Sequence, residues 1–395
     1  MNVSAKRIGA VAAFLFSGSV ALCLHSEPKV ADSKTAIALG IVLPNPDAKI
    51  AISWNQKAAA AYLDQRQSWW MEWPRAARDH GTFCISCHTA LPFALSRSAL
   101  RLPLAEESPS VNERALLDNV SKRVRLWKEV APFYTDADRG EHKTVESRGT
   151  ESVLNALILV ANDGRTGQLS NDTSAALDNM WSEQQTTGSK KGAWPWLRFN
   201  NEPWEADDSD FYGATLAAAA VGMAPGNYRD ASRVQASLTM LRDYLLRESA
   251  AQTTINRIAL LWASSKLPGL LDATHQEAII NEVLAKQLSD GGWSLSSLVG
   301  PWKRADGTPQ EMTSDGYATG LIAFALQQSG ISRENPQLKQ ALAWLATNQS
   351  KTDGSWPSSS LNKNVQHHQS PQTVQFMNDA ATAYAVLALT ESARR

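Results

Sequence analysis

The second half of the chain contains two kinds of helical segment, which differ in how their apolar residues are distributed. Segments of the first kind are small and apolar on nearly every side, at 213–221, 318–326 and 380–389. A helix that is apolar all round must be buried or must line a cavity. Segments of the second kind are more amphipathic, at 228–248, 275–288 and 337–348. The pattern therefore predicts buried inner helices and partly exposed outer helices.

Polar residues that can cap a helix precede the apolar segments at regular intervals. Such residues occur at Asp210, Ser314–Asp315 and Asn378–Asp379, where a side-chain oxygen can accept hydrogen bonds from unpaired amides of the first turn. With further starts near Arg148 and Thr253, the spacing is about 45–65 residues, which is typical of one helical hairpin per repeat. No stretch of useful length alternates between apolar and polar residues as a β-strand does. The sequence predicts an all-α fold of stacked helical hairpins.

Three loops in this region share glutamine, glycine and tryptophan at a similar spacing. Gln287, Gly291 and Trp293 follow the pattern Gln-x3-Gly-x-Trp. A second copy has one additional residue, and a third is looser, with Gln184 or Gln185 in the first place: Gln349/Gly354/Trp356 and Gly192/Trp194. The pattern resembles the QW motif of squalene–hopene cyclases and protein prenyltransferase β subunits. The resemblance covers about residues 146–395 and implies an α/α toroid in which the Gln and Trp residues are structural.

Residues 1–26 have the layout of a secretory signal. Lys6 and Arg7 precede an uncharged apolar run from Ile8 to Leu24, and small or polar residues follow. The run is slightly long for the core of a signal peptide and slightly short for a membrane span. We therefore expect an exported, periplasmic protein whose leader is either cleaved or retained as an anchor in the inner membrane.

The sequence Cys84-Ile85-Ser86-Cys87-His88 has the spacing of an attachment site for one covalent haem c. Two thiols three residues apart can form thioethers with the two vinyl groups of one porphyrin, and the next residue can place an imidazole on the iron. A thioredoxin-like dithiol would require a βαβ pattern, and a zinc site would require a second pair of cysteines; the surrounding sequence has neither. Cys84, Cys87 and His88 are therefore the predicted haem-binding residues.

A haem iron in this segment also needs a second axial ligand or an open site. No methionine occurs between His88 and Met180, so the candidates are His142 and His80, with Met71 as a third option. Residues 89–145 give only about 57 positions for the rest of a haem domain, which is marginal for a complete, independent cytochrome c fold. We therefore expect a haem-binding segment at about residues 50–145 that lies against the toroid and shares its core.

An acidic stretch, Glu205-Ala206-Asp207-Asp208, precedes the helix near Asp210. It is close to the Asp-x-Asp-Asp motif of class II terpenoid cyclases, whose middle aspartate protonates an alkene, and this resemblance implies Asp207 and Asp208 as catalytic residues of a cyclase. The same residues are also suited to capping a helix and stabilising its dipole. Both interpretations follow from the sequence, and the capping one is simpler because other helices begin in a similar way.

The charge balance places further limits on function. The chain carries 38 basic and 39 acidic residues, so no strong electrostatic field favours nucleic acid as a partner. The leading hypothesis is a monohaem c-type protein that exchanges electrons with a redox partner protein or with a quinone-like or isoprenoid molecule held by the toroid. A cyclase that uses Asp207 and a non-enzymatic toroid that binds a protein are the other two hypotheses.

Overall fold

A computed structural model of the chain describes residues 53–130, 140–363 and 370–393. These residues belong to one compact unit that starts at residue 52. The predicted leader at 1–26 lies outside the described residues. None of the helices in the described ranges is both long and apolar enough to cross a membrane.

The described part of the chain is mostly helical, which confirms the predicted all-α class. Its α-helices are numbered here in chain order: α1 Gln56–Glu72, α2 Ala90–Ser96, α3 Val111–Arg125, α4 Gly140–Asp163, α5 Asn171–Ser182, α6 Ser209–Met223, α7 Gln235–Glu248, α8 Thr254–Lys266, α9 Ala273–Leu284, α10 Gly316–Gln328, α11 Pro336–Thr347 and α12 Pro371–Ala393. Two short strands, β1 Ala77–Arg78 and β2 Thr82–Phe83, pair antiparallel in a small hairpin. Short 3-10 helices lie at Asp79–Gly81, Arg97–Leu100, Tyr228–Asp230, Ser232–Val234, Ser249–Ala251 and Leu295–Leu298.

The even-numbered helices are the buried ones. Almost every residue of α6, α8 and α10 is buried, whereas α7, α9 and α11 bury only one face. This confirms the two kinds of helix that the apolar pattern predicts. The even-numbered helices also contact one another in a closed series: α2 packs on α4, α4 on α6, α6 on α8, α8 on α10, α10 on α12 and α12 on α2.

The three Gln/Gly/Trp loops repeat one set of hydrogen bonds. In each loop the indole Nε1 donates to a carbonyl near the end of the preceding odd-numbered helix, with N···O distances of 2.6–2.8 Å: Trp194 to Met180, Trp293 to Val283 and Trp356 to Leu345. Each glutamine amide donates to the carbonyl of its own loop glycine and to a carbonyl at the next odd-numbered helix: Gln184 to Ser237, Gln287 to Gln337 and Gln349 to Asn55. Gln184, and not Gln185, holds this place in the first loop.

The loop glycines require both a left-handed backbone and the absence of a side chain. Gly192 has a φ of +100°, and a Cβ there would lie 2.0 Å from the carbonyl oxygen of Met240 in α7. Gly354 has a φ of +79°, and its Cβ would lie 2.5 Å from Ala58 in α1. The last loop of the chain therefore packs on α1 in the same way as the earlier loops pack on α7 and α11. Helix α1, from the predicted haem segment, therefore contacts the last loop as α7 and α11 contact the earlier ones.

Only some of the predicted cap residues cap a helix in the structure. Asp315 accepts hydrogen bonds at Oδ1 from the amides of Tyr317 and Ala318, both at 3.0 Å, and it caps α10 as predicted. The prediction that Asn378–Asp379 caps a helix is wrong, because α12 begins at Pro371 and both residues lie inside it. Asp210 is not a cap either: it lies in the first turn of α6, and its carboxylate pairs with Arg198 and Lys190. The Asp379 side chain is buried and bonds to side chains elsewhere in the fold.

Candidate functional site

The segment Cys84–His88 connects the β-hairpin to helix α2, and hydrogen bonds fix both of its ends. The amide of Cys84 donates to the carbonyl of Ala76 at 2.8 Å, and the carbonyl of Cys84 accepts from Nε1 of Trp70 at 2.8 Å. Ser86 Oγ accepts from the amides of Thr89 and Ala90, and it thereby satisfies amides at the start of α2. The segment therefore holds Cys87 and His88 against the core.

Aromatic side chains from three parts of the chain surround the His88 imidazole. Phe376 of α12 stacks on the ring with a centroid distance of 3.8 Å and an interplanar angle of 26°. Trp70 of α1 meets it edge-on at 5.2 Å, and Trp204, from the loop before α6, lies at 5.7 Å. These rings and the rest of the core leave His88 only 4% exposed.

A polar chain extends from the imidazole to a buried ion pair. His88 Nδ1 lies 3.0 Å from Thr89 Oγ1, and Thr89 Oγ1 donates to Asp379 Oδ2 at 2.7 Å. Arg66 donates from Nε and Nη2 to the two oxygens of Asp379, at 2.7 and 3.0 Å. Tyr62 Oη donates to Oδ1 at 3.0 Å. This arrangement links α1, the start of α2 and α12 around one carboxylate.

Burial and neighbouring charge determine the protonation of these groups. Burial, with the positive charge of Arg66 as a second cause, lowers the pKa of His88 to about 3, so the imidazole is neutral near pH 7. Burial also raises the pKa of Asp379, while Arg66, Thr89 and Tyr62 favour its charged form. The two-pronged contact with Arg66 is the geometry that best stabilises a carboxylate, and we take Asp379 to be ionised.

The two thiols are unpaired and face different surroundings. Neither Cys84 nor Cys87 is in a disulfide; Cys84 is half-buried and Cys87 is 1% exposed. Burial is the main cause that raises the pKa of both thiols; the charge of Glu205 adds to it at Cys87, whereas the charge of Arg78 opposes it at Cys84. Cys87 also lies close enough to affect the ionisation of three buried tyrosines on α6, α10 and α12: Tyr212, Tyr317 and Tyr384.

Glu205 is a buried carboxyl group beside these residues. It is 8% exposed, and burial raises its pKa to about 7, opposed by a hydrogen bond from Asn201 and by the charge of Lys143. The sequence included Glu205 only as the first residue of the acidic stretch. Its burial next to Trp204 could not be read from that stretch, since the following residue pair, Asp207 and Asp208, is accessible to solvent.

Replacing Glu205 with glutamine is expected to increase stability at high pH and to leave it almost unchanged at low pH. A carboxyl group whose pKa is raised on folding costs no stability when the pH is below its pKa in the unfolded chain. The cost grows as the pH rises above that pKa, and it is complete once the pH has passed the pKa in the folded protein, here about 7. The gain at about pH 8 is on the order of 3 kcal/mol. Urea unfolding at about pH 5 and about pH 8 measures it. E107Q, at an exposed glutamate, is the control; equal gains at both pH values would contradict the shift.

Asp207 and Asp208, the predicted cyclase residues, line a cavity of about 430 Å³. Asp207 is exposed, and Asp208 accepts a hydrogen bond at Oδ2 from Asn256 at 3.0 Å. Burial raises the pKa of Asp208. The rest of the lining mixes polar and apolar groups, among them Glu202, Thr253, Ile255, Val299, Trp302 and Lys363. The two aspartates therefore border a solvent-accessible cavity with a mixed lining.

The candidates for a second axial ligand lie apart from the contacts of His88. The His142 side chain is 81% exposed and pairs with Glu146 at 2.9 Å. His80 lies at the tip of the hairpin, with a φ of +54° and a side chain that is 45% exposed. Met71 is half-buried near the end of α1. Within the described residues, no group of three or more His, Cys, Asp and Glu side chains is arranged to hold a metal ion.

The donor set at Cys84, Cys87 and His88 fits a haem c. The thiols are free to form thioethers, and the imidazole is neutral, with one ring nitrogen engaged by Thr89. The surrounding side chains are closely packed, since Cys87 and His88 are almost inaccessible. A porphyrin can therefore be accommodated only if neighbouring aromatic side chains move outward.

Comparison with known proteins gives no family assignment. No protein-family model matches the chain, and no curated protein is significantly similar to it. The site is therefore interpreted from its own chemistry.

Proposed function

We propose that this protein is an exported, periplasmic monohaem c-type protein that exchanges electrons with a quinone-like molecule or a redox partner protein. Cys84 and Cys87 would hold the haem, and His88 would be its axial ligand. The observation that carries the proposal is the arrangement at His88: a neutral, buried imidazole beside two unpaired thiols, with Nδ1 hydrogen-bonded through Thr89 to Asp379. When bound, the haem supplies a one-electron couple.

The packing of the helices supports an α/α toroid of the cyclase type as the scaffold. The even-numbered helices contact one another in a closed series, and the Gln/Gly/Trp loops repeat one set of hydrogen bonds. The last loop makes its contact with α1, through Gln349 and Asn55. We therefore propose that the described residues of the segment 50–145 belong to the same toroid as those of the segment 146–395, with α1 as an outer helix and α2 as an inner helix.

The cavity beside Asp207 is the proposed binding site for the quinone-like molecule. Trp204 contacts the His88 ring, and the neighbouring residues Pro203 and Ala206 line the cavity. One short loop thus borders both the imidazole and the cavity. The mixed lining suits a molecule that carries both a polar ring and an apolar part, such as a quinone, better than a pure hydrocarbon.

The first test is whether the polypeptide carries covalent haem. We expect wild-type protein, produced in a periplasm with a haem c maturation system, to retain a haem absorption band after denaturing extraction. The double variant C84S/C87S should lose this band, because no thioether can form. C23S is the matched control, since Cys23 is the one cysteine of the sequence that lies outside the motif. Colourless wild-type protein under these conditions would contradict the proposal.

The position of Asp207 and Asp208 at a cavity favours a class II cyclase as a second candidate. This function predicts turnover of an isoprenoid substrate that persists in C84S/C87S and is lost in D207N. Oxidation or reduction of a quinone by the haem-loaded protein, with D207N unaffected, would favour the electron-transfer function instead.

A further inference from the structure

Asp379 lies in the middle of α12 and is 2% exposed. An ionised carboxylate at such a depth is costly unless its oxygens are hydrogen-bonded and its charge is paired. Here both oxygens are engaged: Arg66 contacts each of them, Tyr62 donates to Oδ1 and Thr89 donates to Oδ2. Arg66 and Tyr62 stabilise the charge, whereas Thr89 connects it to His88.

The direction of the hydrogen bonds along this chain follows from proton counting. The Thr89 hydroxyl has one proton, and an ionised Asp379 can only accept. Thr89 therefore donates its proton to Asp379 Oδ2, and its oxygen must accept from the imidazole. The neutral imidazole has one N–H group, which is then on Nδ1, 3.0 Å from Thr89 Oγ1. Nε2 is left with a free lone pair.

We infer that Asp379 and Thr89 are positioning residues, which hold His88 in the Nδ1–H tautomer and orient Nε2 for a metal. This inference rests on the proposed function for the identity of the metal, a haem iron, but not for the tautomer. The hydrogen bond that Nδ1 donates toward a carboxylate, through Thr89, also raises the basicity of Nε2, the nitrogen that would coordinate the metal. A more basic ligand favours the oxidised iron, so Asp379 should lower the reduction potential.

The opposite tautomer would require a different arrangement of protons. If Asp379 were protonated and donated to Thr89, the hydroxyl could donate to Nδ1, and Nε2 would carry the proton. Nε2 could not then coordinate a metal until that proton had been lost. The two-pronged contact of Arg66 with both oxygens opposes this state. Arg66 thus sets the direction of the whole chain of hydrogen bonds.

The tautomer can be measured in the full-length chain without haem. In reduced protein produced without haem maturation and labelled with ¹⁵N at histidine, the two ring nitrogens of His88 are expected to show the pattern of a single Nδ1–H tautomer. The signals are assigned by comparison with H88N. T89S should keep this pattern, and T89V should lose it, because valine has the shape of threonine without the hydroxyl. A wild-type imidazole protonated on Nε2 would overturn the inference, whether or not the variants fold.

The reduction potential provides a second readout in the haem-loaded protein. We expect T89V and D379N to shift the potential to more positive values and T89S to restore it. Y62F is the matched control, because it removes one hydrogen bond to Asp379 Oδ1 but leaves the contact between Thr89 and His88 intact. Equal shifts in Y62F and T89V would indicate a general structural effect and contradict the positioning role.

The two readouts also separate this inference from the proposed function. A chain that never attaches haem but shows the Nδ1–H tautomer would contradict the proposed function and support the positioning role. A chain that carries haem with unchanged potential in T89V and D379N would support the proposed function and contradict the positioning role.

Discussion

Trp293→Ala is expected to lower the free energy of unfolding by about 3–5 kcal/mol, the usual cost of removing a large buried aromatic side chain. The indole is fully buried, and its Nε1 donates to the carbonyl of Val283 at 2.8 Å. The substitution leaves a cavity and also leaves that carbonyl without its donor. Urea unfolding monitored by circular dichroism measures the change.

A second tryptophan of the same region provides the control for this experiment. Trp344 is half-buried on α11, and its Nε1 donates to Asp290 at 3.1 Å near the surface. W344A should cost about 1 kcal/mol, as for an ordinary substitution outside the core. Similar losses of unfolding free energy in W293A and W344A would show that the loop tryptophan contributes no more to stability than a half-buried tryptophan outside the loops.

Arg66→Leu is expected to cost about 3–5 kcal/mol at neutral pH, because it leaves the Asp379 carboxylate buried without its charged partner. The arginine and the aspartate are both at least nine-tenths buried, so solvent does not replace the lost contact. Burial already raises the pKa of Asp379, and loss of Arg66 raises it further. The destabilisation should therefore decrease as the pH falls, since a protonated Asp379 carries no charge. Unfolding curves recorded across the acidic range measure this recovery.

An exposed ion pair is the control for R66L. Arg233 pairs with Asp178, and both side chains are more than half exposed. R233L should change stability by about 0.5 kcal/mol or less. If R66L were as mild as R233L, or if its cost were independent of pH, the Arg66–Asp379 pair would not be the buried ionised pair that we describe.

Local sequence patterns were sufficient to predict most helices because their signals are local. The starts of α8 and α10 were predicted to within two residues from Thr253 and from Ser314–Asp315. Asp315 caps α10 within one turn of the apolar run that follows it, whereas Thr253 precedes α8 without a side-chain hydrogen bond to its amides. Asn378–Asp379 shows the same local pattern, yet Asp379 lies inside a helix. Its stabilising partner, Arg66, is 313 residues away in the chain, and no local pattern contains that information.

The candidate site was predictable only in part for the same reason. The spacing of Cys84, Cys87 and His88 is a local signal, and the structure brings these residues together by chain connectivity alone. Thr89 follows the motif directly, but its role depends on Asp379 of α12. Phe376 also comes from α12 and Trp204 from the loop before α6. These residues carry no sequence signal of their own, because helical spacing and aromatic character are common to all of the core.

The contact between Gln349 and Asn55, 294 residues apart, has a consequence for the order of folding. Contacts between distant parts of a chain form late, because their loop-closure entropy must first be offset by other contacts. Phe376 and Asp379 belong to α12, near the end of the chain, so His88 cannot be covered until that helix has been synthesised and has docked. The motif at residues 84–88 therefore stays uncovered until α12 has docked. Under the proposed function, this interval would give a haem-attaching enzyme access to Cys87, which the finished fold buries.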